Sequence, residues 1–327
     1  MKLSPSSVRK IVFLAVAVLQ SCASANFSRE FENSSLRFSR LTSMPSSRAY
    51  MGYCSNGQTT FVIGGESRTG ESFDNILSFN TKSNSWNEVT PVHISAEKNI
   101  NSAISSGSMF LFNGTKGQLN SPLSPIDINV REVAYNNRVP KVDNVSINPQ
   151  PLFKAGISEY KGYIYLYGGM VDHETYSNTL YRFNAKKKEW KQMAHLPKQM
   201  ITQGQIIDNK LYVFGGQNDK PIDEIYMYNI KVDRWVKVGK LPEPIVDAAI
   251  TSYKHHIILF SNEQVFVYDT HKGSLMRFQT NIGALKGMGA TISNNNLIIF
   301  GGIKINNSGK EVFSSAVYKL DIFKIIS

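Results

Sequence analysis

The residues best suited to chemistry are two acids and an arginine in one short polar segment. Glu66, Arg68 and Glu71 lie within six residues of one another. A carboxylate can act as a general acid or base, and an adjacent arginine suits that task. The same segment, through Gly65 and Gly70, has the glycine spacing of a phosphate-binding loop. Glu71 stands where such a loop needs lysine, however, and an acid would repel phosphate. The segment therefore offers acid–base candidates but no phosphate site.

A second set of charged side chains flanks predicted short strands. The basic residues that precede such strands are Arg48, Lys98, Lys154 and Lys286, and the charged residues that follow others include Glu174 and Lys220. If the strands bring the four cations together, they could hold a carboxylate or sulfate group, with Glu66 or Glu174 on hydroxyls. The alternative is that all of these are ordinary solvated loop charges.

The histidines and cysteines give no indication of a metal or cofactor site. The six histidines show no ligand spacing. His255 and His256 are adjacent in a predicted hairpin turn, where we expect both to be solvated. Of the two cysteines, Cys22 falls in an N-terminal targeting segment, so Cys54 has no disulfide partner in the mature chain. We expect Cys54 to be a small core residue, and we expect no metal and no cofactor.

The elements that position these residues belong to a unit that repeats six times. Its clearest copy, 201–242, has four short segments rich in Tyr, Val and Ile between turn residues, which predicts four strands of one antiparallel sheet. In each copy an apolar strand precedes a pair of small residues: Gly64-Gly65, Asn113-Gly114, Gly168-Gly169, Gly215-Gly216, Ser261-Asn262 and Gly301-Gly302. The spacing between pairs, 40 to 55 residues, is typical of four-stranded propeller blades.

An aromatic residue in the second half of the unit is followed, seven residues later, by a large apolar residue. The pairs are Phe79 and Trp86, Tyr135 and Val142, Phe183 and Trp190, Tyr228 and Trp235, and Tyr268 and Leu275. This offset predicts a strand, a tight polar turn and a partner strand whose first large side chain fills the gap between blades.

The two ends of the chain together supply the last blade. The sixth unit stops after 317–321, before its fourth strand, whereas 38–45 has the spacing of the fourth-strand segments 190–197 and 235–242. We therefore expect 38–44 to be the outer strand of the last blade. Such pairing closes the ring and buries edges that would otherwise template aggregation.

These motifs resemble the kelch repeat. The double glycine, the aromatic residue and the later tryptophan make the resemblance specific at four units, whereas units two and five depart from the pattern. It covers 36–327 and implies an all-β fold, a six-bladed kelch-type β-propeller closed by an N-terminal strand that completes the last blade. Inner strands converge on the axis of such a ring, so the chain must turn there with little side-chain bulk, which glycine allows.

The resemblance also implies a function. Kelch proteins mostly bind partners through loops at one mouth of the ring, so we expect a ligand-binding or protein-interaction module whose partner is a protein or a carbohydrate, which could be anionic. Some exported six-bladed kelch proteins of bacteria are sialic acid mutarotases. That resemblance implies the alternative, a mutarotase or epimerase of an acidic sugar that uses Glu66, Arg68 or Glu71. A third interpretation is a scaffold whose outer blade faces recruit a partner.

The first 25 residues have the pattern of an export signal. A basic start with Lys2, Arg9 and Lys10 precedes the apolar segment 11–19 and a small-residue cleavage site at 23–25. We expect a signal peptide at 1–25, a short linker at 26–35 and the propeller at 36–327, in a monomeric protein that is secreted or periplasmic. Alternatively, 19–22 resembles a lipobox, which would give a lipid anchor at Cys22 and an outer-envelope lipoprotein.

Charge and hydropathy restrict the partners further. The net charge is +11, of which the signal segment supplies three, so the remainder carries +8. This excess favours acidic partners or anionic surfaces, although a basic exported protein without such a partner fits as well. Nucleic acid is not expected, because the aromatic residues are committed to strands. No segment reaches the ~20 apolar residues of a transmembrane span.

Overall fold

The computed structural model describes residues 29–116, 125–136, 139–172, 174–306 and 308–326. Within these ranges it contains 27 β-strands and one 3-10 helix, Ile322–Lys324. The predicted export signal and Cys22 lie outside the described residues. No helix in the described ranges has both the length and the hydropathy that crossing a bilayer requires.

The strands form six blades. The first two strands, β1 (Arg29–Leu36) and β2 (Ser39–Leu41), join the last two blades. Blade one contains β3 (Gly52–Ser55), β4 (Thr59–Ile63), β5 (Asn75–Asn80) and β6 (Ser85–His93). Blade two contains β7 (Asn101–Ser105), β8 (Ser108–Phe112), β9 (Asn129–Val133) and β10 (Val142–Ile147). Blade three contains β11 (Gly156–Tyr160), β12 (Tyr163–Tyr167), β13 (Leu180–Asn184) and β14 (Glu189–Gln192).

The remaining blades follow the same order from the axis outward. Blade four contains β15 (Ile201–Ile207), β16 (Lys210–Gln217), β17 (Pro221–Asn229) and β18 (Arg234–Lys240). Blade five contains β19 (Ala249–Tyr253), β20 (His256–Ser261), β21 (Gln264–Asp269) and β22 (Ser274–Thr280). Blade six contains β23 (Gly289–Ser293), β24 (Asn296–Phe300) and, beyond a hairpin of β25 (Ile303–Ile305) and β26 (Glu311–Phe313), β27 (Val317–Asp321). The first strand of each blade contacts the first strands of both neighbours, so the six inner strands form a closed circle.

The predicted closure of the ring is confirmed. Strand β2 pairs antiparallel with β27, with Leu41 opposite Val317, and the Met44 amide donates to the Ser315 carbonyl at 2.8 Å. The regular strand is shorter than the predicted 38–44. Blade six is thus built from both ends of the described chain.

Strand β1 is an unanticipated addition. It pairs in parallel with β22, from Arg29 opposite Leu275 to Leu36 opposite Thr280, and makes blade five a five-stranded sheet. Most of this strand falls in 26–35, which the sequence had indicated as a linker. The segment is mainly polar, without the alternation of apolar residues that identifies a strand. Only its end shows the reason for docking, because Leu36 is buried in the core cluster that contains Phe278.

The tryptophans fill the positions that the seven-residue offset predicts. Trp86, Trp190 and Trp235 each lie opposite the paired aromatic, with ring centroids 4.7, 4.9 and 5.1 Å apart. The offset fails in blade two, where a longer turn places Val142 opposite Val133 rather than Tyr135. That blade had already lost its tryptophan, so no large side chain fixes the register there.

The double glycines adopt the backbone that the fold demands. Both members of every intact pair have positive φ, for example 52° and 101° at Gly215 and Gly216. A Cβ at Gly216 would collide with the Ile201 carbonyl oxygen on the adjacent inner strand. The glycines therefore let the chain turn beside the axis where no side chain fits.

Candidate functional site

A cavity lies along the axis of the ring. Its volume is about 820 Å³, and residues of all six inner strands line it. The inner strands start on the side of the small-residue pairs, so this end of the channel is the mouth that the sequence had indicated. We call it the mouth face.

Six residues, one from each blade, surround the channel where the inner strands begin. This mouth ring consists of Tyr50, Asn99, Lys154, Ile201, Asp247 and Gly287, all of which line the cavity. Each lies fourteen residues before the first member of the small pair in its own blade. The ring is therefore a property of the repeat, whereas its side chains are specific to this chain.

The backbone of the mouth ring is unusual at five of its six positions. Tyr50, Asn99, Lys154 and Asp247 have φ between 49° and 55°, and Gly287 has φ 60°. For a residue with a Cβ this conformation costs about 1 kcal/mol or more. At two positions hydrogen bonds between blades hold it, since the Tyr50 amide donates to the Gly287 carbonyl at 2.8 Å and the Asn99 amide to the Tyr50 carbonyl at 2.7 Å. The neighbouring blades thus fix the backbone of Tyr50 and Asn99.

Tyr50 lies across the position where blade six has no side chain. A Cβ at Gly287 would be 2.8 Å from the Tyr50 ring. Burial, followed by the charges of Asp247, Glu66 and Glu311, raises the pKa of Tyr50 to about 12. The phenol therefore stays protonated at neutral pH and can donate a hydrogen bond into the mouth.

The other polar members supply complementary groups. Lys154 is half-buried and contributes an ammonium, Asp247 is exposed and contributes a carboxylate, and Asn99 contributes an amide. Donors, acceptors and both signs of charge therefore surround one opening. This set suits a polar, peptide-like ligand better than a single anion.

Arg48 does not point into the mouth as expected. It is 1% exposed, its guanidinium lies 3.8 Å from the centre of the Phe73 ring, and Nη1 donates to the Gly64 carbonyl at 3.0 Å. Burial lowers its pKa to about 10, against the raising effect of Glu88, so it remains a cation at neutral pH. The arginine ties the first glycine turn to its blade, and its donors are occupied.

Lys98 is also withdrawn from the mouth. It is 1% exposed, and its ammonium forms an ion pair with Glu66, which is 9% exposed. This pair joins blades one and two, so the expected convergence of four cations is wrong for two of them. Sequence alone could not show this, because a buried and a solvated lysine at the start of a strand look the same.

The acid–base candidates are separated in the structure. Glu66 is held by Lys98, whereas Arg68 and Glu71 are exposed in the following turn, where Glu71 accepts from the Thr69 hydroxyl at 3.2 Å. Within the described ranges no ion pair joins Arg68 to either carboxylate. The geometry therefore assembles no carboxylate–arginine pair here.

The remaining predicted mouth residues lie on the mouth face but differ in position. Lys154 belongs to the mouth ring, and Lys286 is exposed beside Gly287. Glu174 and Lys220 are exposed in outer loops, where their amides donate to Asp172 and Asn218 side chains. Only Lys154 thus lines the channel directly.

Sequence analysis missed Tyr50, Asn99 and Asp247. The signal that would have found them is the constant offset of fourteen residues to the small pair, which holds even in the drifted units two and five. It also missed a second buried ion pair, in which Arg131 Nη2 of β9 donates to Glu97 Oε2 in the segment before β7 at 2.5 Å. Burial raises the pKa of Glu97 despite the nearby arginine.

Comparison with known proteins fits this architecture. A family model described as the KLHDC2/KLHL20/DRC7 Kelch-repeats domain matches residues 52–262. The chain belongs to the kelch-repeat family. The resemblance found in the sequence is therefore confirmed, and kelch membership favours a protein-interaction module.

Individual relatives of this kelch propeller are distant. It is 23% identical over 220 residues to Kelch repeat and BTB domain-containing protein 1 of cowpox virus (strain Brighton Red), covering 64% of this chain and 38% of that protein. It is 29% identical over 156 residues to Kelch domain-containing protein 10 of Bos taurus and of Homo sapiens, covering 44% of this chain and 34% of each. Beta-scruin of Limulus polyphemus is 28% identical over 102 residues, or 28% of this chain and 11% of that protein. The chain therefore spans less than two fifths of the length of these relatives.

Proposed function

We propose that this kelch propeller is a protein-interaction module that binds a polar peptide segment of its partner at the mouth ring. The observation that carries the proposal is the ring itself, four polar side chains on left-handed backbone around a cavity of about 820 Å³. Strained backbone at non-glycine residues concentrates at binding sites, where it fixes side-chain direction before a ligand arrives.

The chemistry of the ring defines the partner segment. Lys154 calls for a carboxylate or a backbone carbonyl, Asp247 for a basic group or an amide, and the Tyr50 hydroxyl for an acceptor. Beside the ring, the β25–β26 hairpin carries the exposed apolar residues Ile305 (56%) and Val312 (43%). A partner protein could cover this hairpin while its peptide segment enters the mouth. A carbohydrate ligand stays a prediction without a contact that favours it.

Peptide display tests this function. A random peptide library would be panned against the folded protein, and enriched peptides would be measured by biolayer interferometry on Lys154→Glu and Asp247→Lys. The control is Lys161→Glu, because Lys154 and Lys161 both belong to blade three, have φ 49° and 50°, and lie at opposite ends of β11. Peptides that bind the mouth should lose at least tenfold in affinity in the first two variants and keep it in the control. Enriched peptides that bind all three variants like the wild type would contradict the proposal.

We also propose that the propeller works outside the cytoplasm. The basic start, the short apolar segment and the small-residue cleavage site in 1–25 support this proposal. Cys54 is buried as a free thiol, so no disulfide is needed in the described residues, which is compatible with export.

A further inference from the structure

Blade five carries a cluster of histidines at the end of the ring opposite the mouth face. His255 lies in the turn between β19 and β20, His256 begins β20, and Asp269 ends β21 directly opposite His256. One ligand atom from each residue lies within 4.8 Å of the other two. The sequence expectation that both histidines are solvated is wrong for His256, which is 6% exposed because it faces Asp269 inside the sheet.

His256 is a buried residue with one unsatisfied ring nitrogen. Its Nδ1 has no hydrogen-bond partner among the described residues, and its Nε2 is 3.8 Å from Asp269 Oδ2, beyond hydrogen-bonding distance. A buried nitrogen without a hydrogen-bond partner costs free energy. Burial, followed by the neighbouring His255, lowers the pKa of His256.

Two backbone hydrogen bonds orient the Asp269 carboxylate, as is usual for a carboxylate that binds a metal ion. Its Oδ1 accepts from the amides of His271 and Lys272 at 2.8 and 3.0 Å, which fixes the carboxylate plane. Its Oδ2 is 3.9 Å from His255 Nε2 and 3.8 Å from His256 Nε2. Ligating carboxylates are usually oriented by hydrogen bonds of this kind.

From this geometry we propose that His255, His256 and Asp269 form a binding site for a first-row divalent transition metal, with Zn²⁺ as the natural probe. Two imidazoles and one carboxylate are a ligand set that Zn²⁺ takes in open sites, with a fourth position for water or another ligand. Ligand atoms around a tetrahedral zinc ion are ~3.3 Å apart at bond lengths near 2.0–2.1 Å, so each histidine must approach the carboxylate by about half an ångström.

The surroundings allow this contraction. His255 is one third exposed, and the Lys272 ammonium, 3.8 Å from Asp269 Oδ2, sits on a side chain that is 73% exposed and can swing away. His271 stacks on His255 with ring centroids 4.3 Å apart and pairs with Asp208 of blade four at 3.6 Å, so it positions His255 from outside the ligand set. A bound ion would therefore fasten the turn at 254–255 to the end of β21.

The test uses tag-free, chelator-treated protein and direct titration with Zn²⁺ by isothermal calorimetry. We expect one ion per chain, a rise in Tm of several degrees with excess Zn²⁺, and, with Co²⁺ as substitute, visible d–d absorption of a nitrogen and oxygen site. His255→Gln and Asp269→Asn should weaken binding at least tenfold and abolish the Tm shift. Asp269→Asn keeps the oxygen that accepts the two amides, so it should fold.

The matched control is His93→Gln. His93 and Asp74 form an exposed histidine–aspartate pair at 3.2 Å in blade one without a third ligand. This variant should bind Zn²⁺ like the wild type. The proposal is overturned if less than one ion binds per chain, or if His255→Gln and Asp269→Asn bind as the wild type does, or if the loss occurs in His93→Gln instead.

Discussion

At the scale of single residues, the three tryptophans occupy equivalent positions but differ in hydrogen bonding. Trp235 Nε1 donates to the Ala194 carbonyl at 2.8 Å, so it ties blade four to blade three. Trp190 Nε1 is buried and has no partner among the described residues. The packing of both rings against their paired aromatics is similar.

We therefore expect the same substitution to have different costs at these two positions. Trp235→Phe loses both volume and a hydrogen bond, whereas Trp190→Phe loses volume alone and removes an unsatisfied N–H. The free energy of unfolding should fall by about 1 kcal/mol more in Trp235→Phe, the net value of a hydrogen bond. Urea unfolding at 25 °C measures it, and equal losses would show that the Ala194 contact contributes nothing.

Cys54 permits a prediction about reactivity. Burial, opposed by the smaller effect of the nearby Ser102, raises the pKa of the Cys54 thiol to about 12. At pH 8 only about one molecule in 10⁴ would carry the reactive thiolate. Iodoacetamide should therefore leave the Cys54 peptide unmodified in folded protein and modify it fully in guanidinium chloride, as read by peptide mass. Rapid labelling of the folded protein would mean that the inner strand of blade one opens locally.

At the scale of elements, the connection between β1 and β2, residues 37–38, should contribute most to keeping the ring closed. Phe38 is 5% exposed, packs in the core cluster of blades five and six, and exchanges two hydrogen bonds with Asn281, at 2.8 and 3.1 Å. The connection thus fastens the N-terminal strands to the last two blades at once.

We expect Phe38→Ala to lower the free energy of unfolding by about 3–5 kcal/mol, the usual cost of truncating a buried phenylalanine. The neighbouring Arg37 is exposed, so Arg37→Ala should change it by less than about 0.5 kcal/mol. Calorimetric Tm values provide the comparison. If the two variants melt alike, the connection does not hold the ring closed.

The elements also show what sequence could and could not predict. Glycine pairs, tryptophan offsets and the role of 38–44 followed from the repeat, because each blade must solve the same turning and packing problem. Strand β1 could not be predicted, since its docking depends on the free edge of β22 and not on its own polar sequence. For the same reason, the burial of Arg48 and Lys98 could not be predicted. It depends on residues that are distant in the sequence, and local sequence patterns do not identify these contacts.

At the scale of the whole molecule, intact mass tests the proposed export. If the predicted signal is cleaved after Ala25, the mass should correspond to a chain beginning at Asn26. A lipid-modified Cys22 would instead add the mass of residues 22–25 and of the acyl groups. A mature chain that retains Met1 would contradict both forms of export.

The direction of β1 determines how the molecule would be presented on a surface. Because β1 runs parallel to β22, Arg29 lies beside Leu275 at the end of blade five remote from the mouth face, on the same side as the histidine turn. A tether attached anywhere upstream of Arg29 would thus leave from the back of the propeller. In such an orientation Tyr50, Lys154 and Asp247 would point outward to arriving partners, without a domain rotation to uncover them.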